Sequence, residues 1–273
     1  MWPALQAEGV ALFAISYDSV ATLQAFADKH AITYPLLSDE GSHVIRRLGL
    51  VNERVQDDHA HYGIPGNPRH VGLPYPGVFA LDEGGIITAK RFHESYRVRD
   101  TGVGIVARTL GQLGAIGGSS VTREDEVVRV RAWLDSPTYA FFQRLHLTVE
   151  ISVAPGFHVY AQPAPAGFVP ISVAVAPIEG VAIGDADWPA PQPVEVTGLE
   201  ERFWVHEGTV RGALPLTFSA PPGAGDHLIH VTVNYQACSD SVCLAPVSLA
   251  LGVPVREVAL EGRELPGREV QRG

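Results

Sequence analysis

The chain has 273 residues, 46% of them hydrophobic, and a formal net charge of −10 with His neutral. This length predicts two domains, and the apolar fraction is sufficient for two cores. The negative charge argues against nucleic acid as a partner. No apolar run is long enough to span a membrane. The first residues lack the basic and apolar segments of a signal peptide, so we expect none in this chain.

Strand and helix signals alternate over residues 10–110, which predicts an α/β domain over residues 1–113. The apolar run Val10–Ile15 indicates a strand that is buried on both faces. Asp18 and Ser19 then mark the start of a helix. The remaining elements predicted here are a helix over 42–48, a long polar loop over 52–75, strands over 77–82 and 86–90, and a last helix over 101–114. A small, flexible linker is expected over 114–120.

Residues 121–256 carry strand signals throughout, separated by Pro and Gly turns, and this pattern predicts a β-sandwich. The predicted strands are 127–134, 146–153, 169–175, 214–218, 228–235 and 247–251. Residues 257–273 are charged, and we expect them to form a frayed tail.

Cys238 and Cys243 are the two cysteines of the chain. Alternating runs on either side predict two strands joined by a short connection, across which the cysteines can form a disulfide. So small a ring contributes only about 2 kcal/mol in the loop-entropy model. A chain of this size does not need that contribution, which favours a bridge that opens and closes. The residues by themselves leave two interpretations open: thiol–disulfide exchange, and a structural bridge in a secreted domain.

The second half resembles the N-terminal periplasmic domain of the bacterial DsbD-type thiol:disulfide interchange proteins. The resemblance rests on the cysteine hairpin 235–246, on the segment Arg202–Trp204 with the strand 213–216, and on the segment 155–160. It implies an immunoglobulin-like sandwich that passes electrons to periplasmic oxidoreductases. By the same resemblance, the chain is expected to be periplasmic or extracytoplasmic. One departure is that four residues separate the cysteines here, whereas the best-known members have five.

The resemblance also implies roles for individual residues. Cys238 and Cys243 are the redox pair, and Phe203, with Trp204 beside it, is the candidate for an aromatic that shields the disulfide until a partner docks. His158, Tyr160 and Tyr235 are expected to line the site. Asp240 lies between the two cysteines and is expected to raise the thiol pKa by charge repulsion.

The first half resembles redoxin domains of the thioredoxin fold, close to the peroxiredoxins, in the segments 14–18, 26–30, 34–39 and 76–82. Pro76 corresponds to the cis-proline beside the active site of that fold. Residues 1–237 contain no cysteine, so we expect no peroxidase chemistry from residues 1–113 as given. The first strand of the fold is also expected to be missing. Alternative explanations are a domain that has lost its chemistry and a peroxiredoxin with a misassigned start codon.

The predicted function is electron relay by thiol–disulfide exchange at Cys238 and Cys243, with a thioredoxin-like or other thiol oxidoreductase as partner. The alternative is a non-catalytic binding or scaffold protein with a permanent disulfide. We expect no cofactor. His59, His61 and His70 could ligate a metal such as zinc or copper, but their spacing is not that of a known closed site, which favours a solvated polar loop. A homodimer through the edge left by the missing strand is a further hypothesis.

Overall fold

The computed structural model describes residues 5–6, 9–61, 65, 68–93, 98–101, 104–105, 119–140, 142–195, 202–219 and 225–258. The chain divides into two compact units, residues 1–102 and 103–273. Most of the predicted helix over 101–114, most of the linker over 114–120 and nearly all of the tail over 257–273 lie outside the described residues. The boundary that we predicted at 113 therefore remains a prediction.

The first unit contains short strands and helices in alternation. Its elements are β1 (Ala14–Ser16), α1 (Val20–His30), β2 (Leu36–Ser38), α2 (His43–Arg47), α3 (Val55–His61), a turn of 3-10 helix (Pro68–His70), β3 (Gly77–Leu81), β4 (Ile87–Phe92) and β5 (Arg99–Asp100). Strand β1 pairs in parallel with β2, and β3 pairs antiparallel with β4. The predicted start of α1 is confirmed, because the Ser19 hydroxyl accepts a hydrogen bond from the Thr22 amide at 3.3 Å.

Two expectations for this unit are wrong. Strand β1 is not buried on both faces: Ile15 is 46% exposed, and Leu37 beside it on β2 is equally exposed. The described part of the unit leaves that face open to solvent. The segment 52–75 is not simply a loop, because it contains α3. That helix is held by Val55 and His59, which are four residues apart on one helical face and both buried.

The prediction of a cis bond before Pro76 is also wrong. Among the described residues the cis peptide bond joins Gln162 to Pro163, and Tyr75–Pro76 is trans. Trans is the ordinary state of an X–Pro bond, favoured by about 0.5–1 kcal/mol. The Pro76 carbonyl accepts a hydrogen bond from the amide of His93, which anchors the start of β3 beside the end of β4.

The second unit is built from strands. They are β6 (Val121–Glu124), β7 (Val128–Leu134), β8 (Thr138–Tyr139), β9 (Gln143–Val153), β10 (His158–Tyr160), β11 (Ser172–Val175), β12 (Val181–Ile183), β13 (Gln192–Glu195), β14 (Arg202–Glu207), β15 (Thr209–Phe218), β16 (Asp226–Tyr235), β17 (Ala237–Cys238) and β18 (Val247–Glu257). The described residues form sheets with the orders β12-β15-β9-β7-β6, β11-β16-β18-β8 and β13-β14-β10-β17. All six strands predicted for this half are present, several of them longer than expected.

One hydrophobic core joins the first two of these sheets. Alternate residues of β9, such as Leu145, Leu147 and Val149, are fully buried and pack in the same cluster as Val231 and Val233 of β16. This period of two follows from the pleat of the strands. The third sheet, β13-β14-β10-β17, carries the cysteines and has a small apolar cluster of its own.

A substitution at Gly212 of β15 provides a test of the packing in this unit. A Cβ at Gly212 would lie 2.6 Å from two carbons of the Trp188 ring, whereas a Cβ at Gly252 of β18 would lie 3.7 Å from the nearest atom of Leu228, an ordinary contact. We expect Gly212→Ala to lower the free energy of unfolding by about 1–3 kcal/mol, because the ring must move. The control, Gly252→Ala, should be neutral or slightly stabilising. Urea unfolding of both variants measures the difference, and equal stabilities would contradict the packing.

Candidate functional site

The two cysteines form a disulfide whose Cα atoms are 4.1 Å apart. Cys238 ends the short strand β17, which pairs antiparallel with β10 so that His158 lies opposite Cys238. Cys243 lies across the turn 239–242 and forms a β-bridge with Cys238. The bridge therefore joins the two ends of one tight turn at the edge of the β13-β14-β10-β17 sheet.

Hydrogen bonds that involve neither sulfur hold the turn. The Ser239 hydroxyl accepts from the amides of Ser241 and Val242, and the Leu244 amide donates to the Ala237 carbonyl at 2.9 Å. The buried side chain of Gln236 donates to the Leu244 carbonyl and accepts from the Val169 amide, both at 3.0 Å. This role of Gln236 had no signal in the sequence, although the residue belongs to the cysteine motif. It ties the turn to the loop that carries Phe168.

The two cysteines differ sharply in exposure. Cys243 is exposed, whereas Cys238 is 1% exposed. The buried cysteine packs in an apolar group that we call the disulfide cluster, which consists of Cys238, Tyr160, Phe203 and Val205 with the partly buried Ala164, Phe168 and Val194. An attacking thiolate therefore has access to the bridge from the Cys243 side.

Tyr160 contacts the exposed cysteine. Its hydroxyl oxygen lies 3.7 Å from the Cys243 sulfur, and its ring packs edge-on against Phe168. Burial raises the pKa of Tyr160 above its usual value. The phenol therefore keeps its proton at neutral pH and is placed to donate a hydrogen bond to a Cys243 thiolate. Tyr160 and His158 thus lie beside the bridge, and their part in a redox site stays a prediction.

His158 lies opposite Cys238 and near the carboxylates of Glu207 and Asp240. It is 9% exposed, and its ring is 5.4 Å from the ring of Tyr160. Burial lowers the pKa of His158, and the nearby charges of Glu207 and Asp240 offset part of that shift. Asp240 is exposed in the cysteine turn, and its expected effect on the thiol pKa stays a prediction. Glu207 was missed in the sequence, because only the pairing of β14 with β10 shows that it faces His158.

Phe203 and Trp204 belong to strand β14. Phe203 is 1% exposed and packs against Tyr160 and Phe168 on the buried side of the bridge, while Cys243 remains exposed. Trp204 is half-buried and points to the opposite face, as alternation along a strand requires. Its carbonyl accepts a hydrogen bond from the Ala161 amide at 2.7 Å. The role of a removable shield stays a prediction.

Tyr235 does not line the site. Its side chain is fully buried in the core shared by the two larger sheets, and its hydroxyl donates to Asp125 at 2.5 Å. The reason is alternation: Tyr235 shares its strand face with Val231 and Val233, which point into that core. Burial, aided by Asp125, raises the pKa of this phenol strongly. Its place in the cysteine motif thus reflects packing.

Two of the three histidines considered as metal ligands, His59 and His70, lie close together. The Nδ1 atoms of His59 and His70 are 3.2 Å apart. The side chain of His61 lies outside the described residues. Within the described ranges, no group of three or more His, Cys, Asp or Glu side chains has the arrangement of a metal site.

Comparison with known families supports both resemblances. Residues 134–251 match the model of the family described as thiol:disulfide interchange protein DsbD, N-terminal. Residues 1–90 match the model of the AhpC/TSA family. The chain therefore joins a region similar to the DsbD N-terminal family to a preceding region similar to the AhpC/TSA family. No curated protein matches the chain.

Two solved structures are similar to part of the chain. The N-terminal periplasmic domain of ScsB from Proteus mirabilis has 16% identity over 50% of this chain and 51% of its own, with a TM-score of 0.38. The reduced N-terminal domain of DsbD from Neisseria meningitidis has 18% identity over 40% of this chain and 77% of its own, with a TM-score of 0.31. This chain thus spans about half the length of the ScsB domain.

The described helices are all too short or too polar to cross a bilayer. The comparisons give no support to the homodimer.

Protonation of the buried histidines gives a prediction about stability. Burial lowers the pKa of both His158 and His206 from 6.5. As pH falls below 6.5, the unfolded chain gains protons that the folded one does not, so stability should fall until the pH passes the lowered values. We expect the double variant His158→Gln/His206→Gln to lose less stability between pH 7 and pH 5 than the unmodified chain. Urea unfolding across that range measures this, and identical slopes would contradict it.

Proposed function

We propose that the second unit is an immunoglobulin-like electron-transfer domain in which the Cys238–Cys243 pair undergoes thiol–disulfide exchange with a thioredoxin-like oxidoreductase. The observation that carries this proposal is the asymmetric burial of the bridge. One sulfur belongs to an exposed residue at the sheet edge, and the other to a residue that is 1% exposed. The match of residues 134–251 to the DsbD N-terminal family supports the same chemistry.

The position of the bridge also argues against a purely structural role. The large core of the second unit is formed mainly by apolar residues of the other two sheets, joined by Val159 of β10 and Ala237 of β17, and does not include either cysteine. The turn between the cysteines is held by Ser239 and Gln236 whether or not the sulfurs are joined. Opening the bridge therefore leaves the fold and the turn with their own supports.

Cys243 is the cysteine that we propose to exchange with the partner. In one direction, a partner thiolate attacks the Cys243 sulfur, the Cys238–Cys243 bond breaks, and Cys238 leaves as a thiolate. In the other direction, the reduced Cys243 attacks a partner disulfide, and Cys238 then resolves the mixed disulfide. The Tyr160 hydroxyl, 3.7 Å from the Cys243 sulfur, stabilises negative charge there.

The first unit is proposed to be a thioredoxin-like domain whose residues, as given, contribute no thiol to the exchange. The support is its match to the AhpC/TSA family, together with the absence of cysteine from residues 1–237. A thiol for exchange with Cys243 is therefore not supplied by residues 1–237.

The reduction potential of the cysteine pair tests this function. The chain is equilibrated in thiol/disulfide buffers, alkylated and analysed by mass, with the Cys238→Ser/Cys243→Ser variant as the control for unspecific labelling. We expect a reversible transition above about −250 mV, in the range of exchange proteins. A pair that stays oxidised below about −300 mV would be a structural bridge, and the scaffold alternative would replace the proposal.

The single-cysteine variants test which sulfur meets the partner. Cys238→Ser leaves the exposed thiol, and Cys243→Ser leaves the buried one. We expect Cys238→Ser to react with dithiodipyridine at least about tenfold faster, because exposure and thiolate character control such reactions. Release of thiopyridone, followed by absorbance, gives both rates. A faster reaction of Cys243→Ser would reverse the assignment, and the rates in denaturant provide the reference for intrinsic reactivity.

A further inference from the structure

Three residues from three neighbouring strands form a row across the cysteine sheet. On one side of β10, His158 is paired with Cys238 of β17, and on its other side it is paired with Glu207 of β14. Directly opposed residues of antiparallel strands have their Cβ atoms about 4.5–5.5 Å apart on the same face of the sheet. The order across this face is therefore carboxylate, imidazole and sulfur.

The resolving step of the exchange needs a base at this place. When Cys243 is joined to a partner, Cys238 must lose its proton before it can attack, because the thiolate is the nucleophile. Cys238 is 1% exposed and lies among Tyr160, Phe203 and Val205. Such apolar surroundings disfavour a thiolate and exclude bulk water as the proton acceptor.

His158 is in the protonation state that a base requires. Burial lowers its pKa, and the opposing influence of Glu207 and Asp240 does not reverse the shift. The imidazole is therefore neutral at neutral pH and has a nitrogen to accept a proton. The groups that face it are Glu207 from β14, Asp240 from the cysteine turn, Cys238 from β17 and Tyr160 from its own strand.

We infer that His158 is the general base that takes the proton of Cys238 in the resolving step, and that Glu207 stabilises the imidazolium that results. This inference rests on the proposed exchange function. The Cys238 sulfur attacks the Cys243 sulfur, the bond between Cys243 and the partner breaks, and its electron pair leaves with the partner sulfur. The cysteine pair is thereby oxidised and the partner disulfide reduced. The proton passes from His158 to the departing thiolate or to solvent.

The test follows the two steps separately in the reduced full-length chain. Dithiodipyridine releases one thiopyridone when it forms a mixed disulfide at Cys243 and a second when Cys238 resolves that disulfide. At pH 7 we expect His158→Gln to slow the second release by about tenfold or more, as loss of a general base does, and to leave the first release unchanged. The second rate should level off above the pKa of His158 in the unmodified chain and keep rising with pH in the variant.

His206→Gln is the matched control. His206 is also a buried histidine whose pKa is lowered by burial, but it is paired with Val159 and so lies on the opposite face of the same sheet. We expect both of its rates to match those of the unmodified chain. A second release slowed equally in both histidine variants would indicate a general packing effect and overturn the assignment.

Glu207→Gln provides an independent variant, because Glu207 is exposed and its substitution does not disturb the disulfide cluster. Since Glu207 raises the pKa of His158, its removal should shift the pH profile of the second release to lower pH and lower its plateau. An unchanged profile in both Glu207→Gln and His158→Gln would overturn the inference while leaving the exchange function intact. A pair that cannot be reduced reversibly would instead overturn the exchange function itself.

Discussion

The candidate site depends on the pairing of one three-residue strand, β10, with two partners. Strand β10 lies between β14 and β17 and fixes which side chains meet on the face that carries Cys238. A slip of one residue in either pairing would turn His158 and Tyr160 away from the cysteines, because side chains alternate between faces. The register thus controls the surroundings of the bridge more directly than any single hydrogen bond does. The burial of Val159, His158 and Tyr160 in turn holds that register.

Much of the second unit could be predicted, because apolar and polar residues alternate along its strands. Strands β16 and β18 have clear periods of two, and the cysteines follow from their position between these strands. The segment Arg202–Trp204 was harder, because the shielding role implied by its resemblance competed with the strand preference of its two aromatic residues. In the structure this segment forms the start of β14, and Phe203 is buried. Tyr235 was assigned to the site from its place in the motif, whereas its strand face decides its position.

Other features had no local signal. Glu207 and His158 are remote in sequence, and only strand pairing brings them to one row. Helix α3 lies in a stretch rich in Pro and polar residues, and Val55 and His59 are the buried ones among its described side chains. Conversely, the apolar run Val10–Ile15, which ends within β1, predicted burial on both faces, but such a run does not indicate how many neighbouring elements cover the strand. The exposed Ile15 and Leu37 show that difference.

The hydrogen bonds of Gln236 and Ser239 have a kinetic consequence. They fix the backbone of the turn through amide, carbonyl and hydroxyl groups alone, so reduction of the bridge removes none of them. The two thiols then remain near each other at a high effective molarity instead of diffusing apart with a loosened loop. In the proposed exchange, each cycle of opening and closure would need little reorganisation of the chain. A mixed disulfide at Cys243 would accordingly be short-lived, which limits the time during which a competing thiol can intercept it.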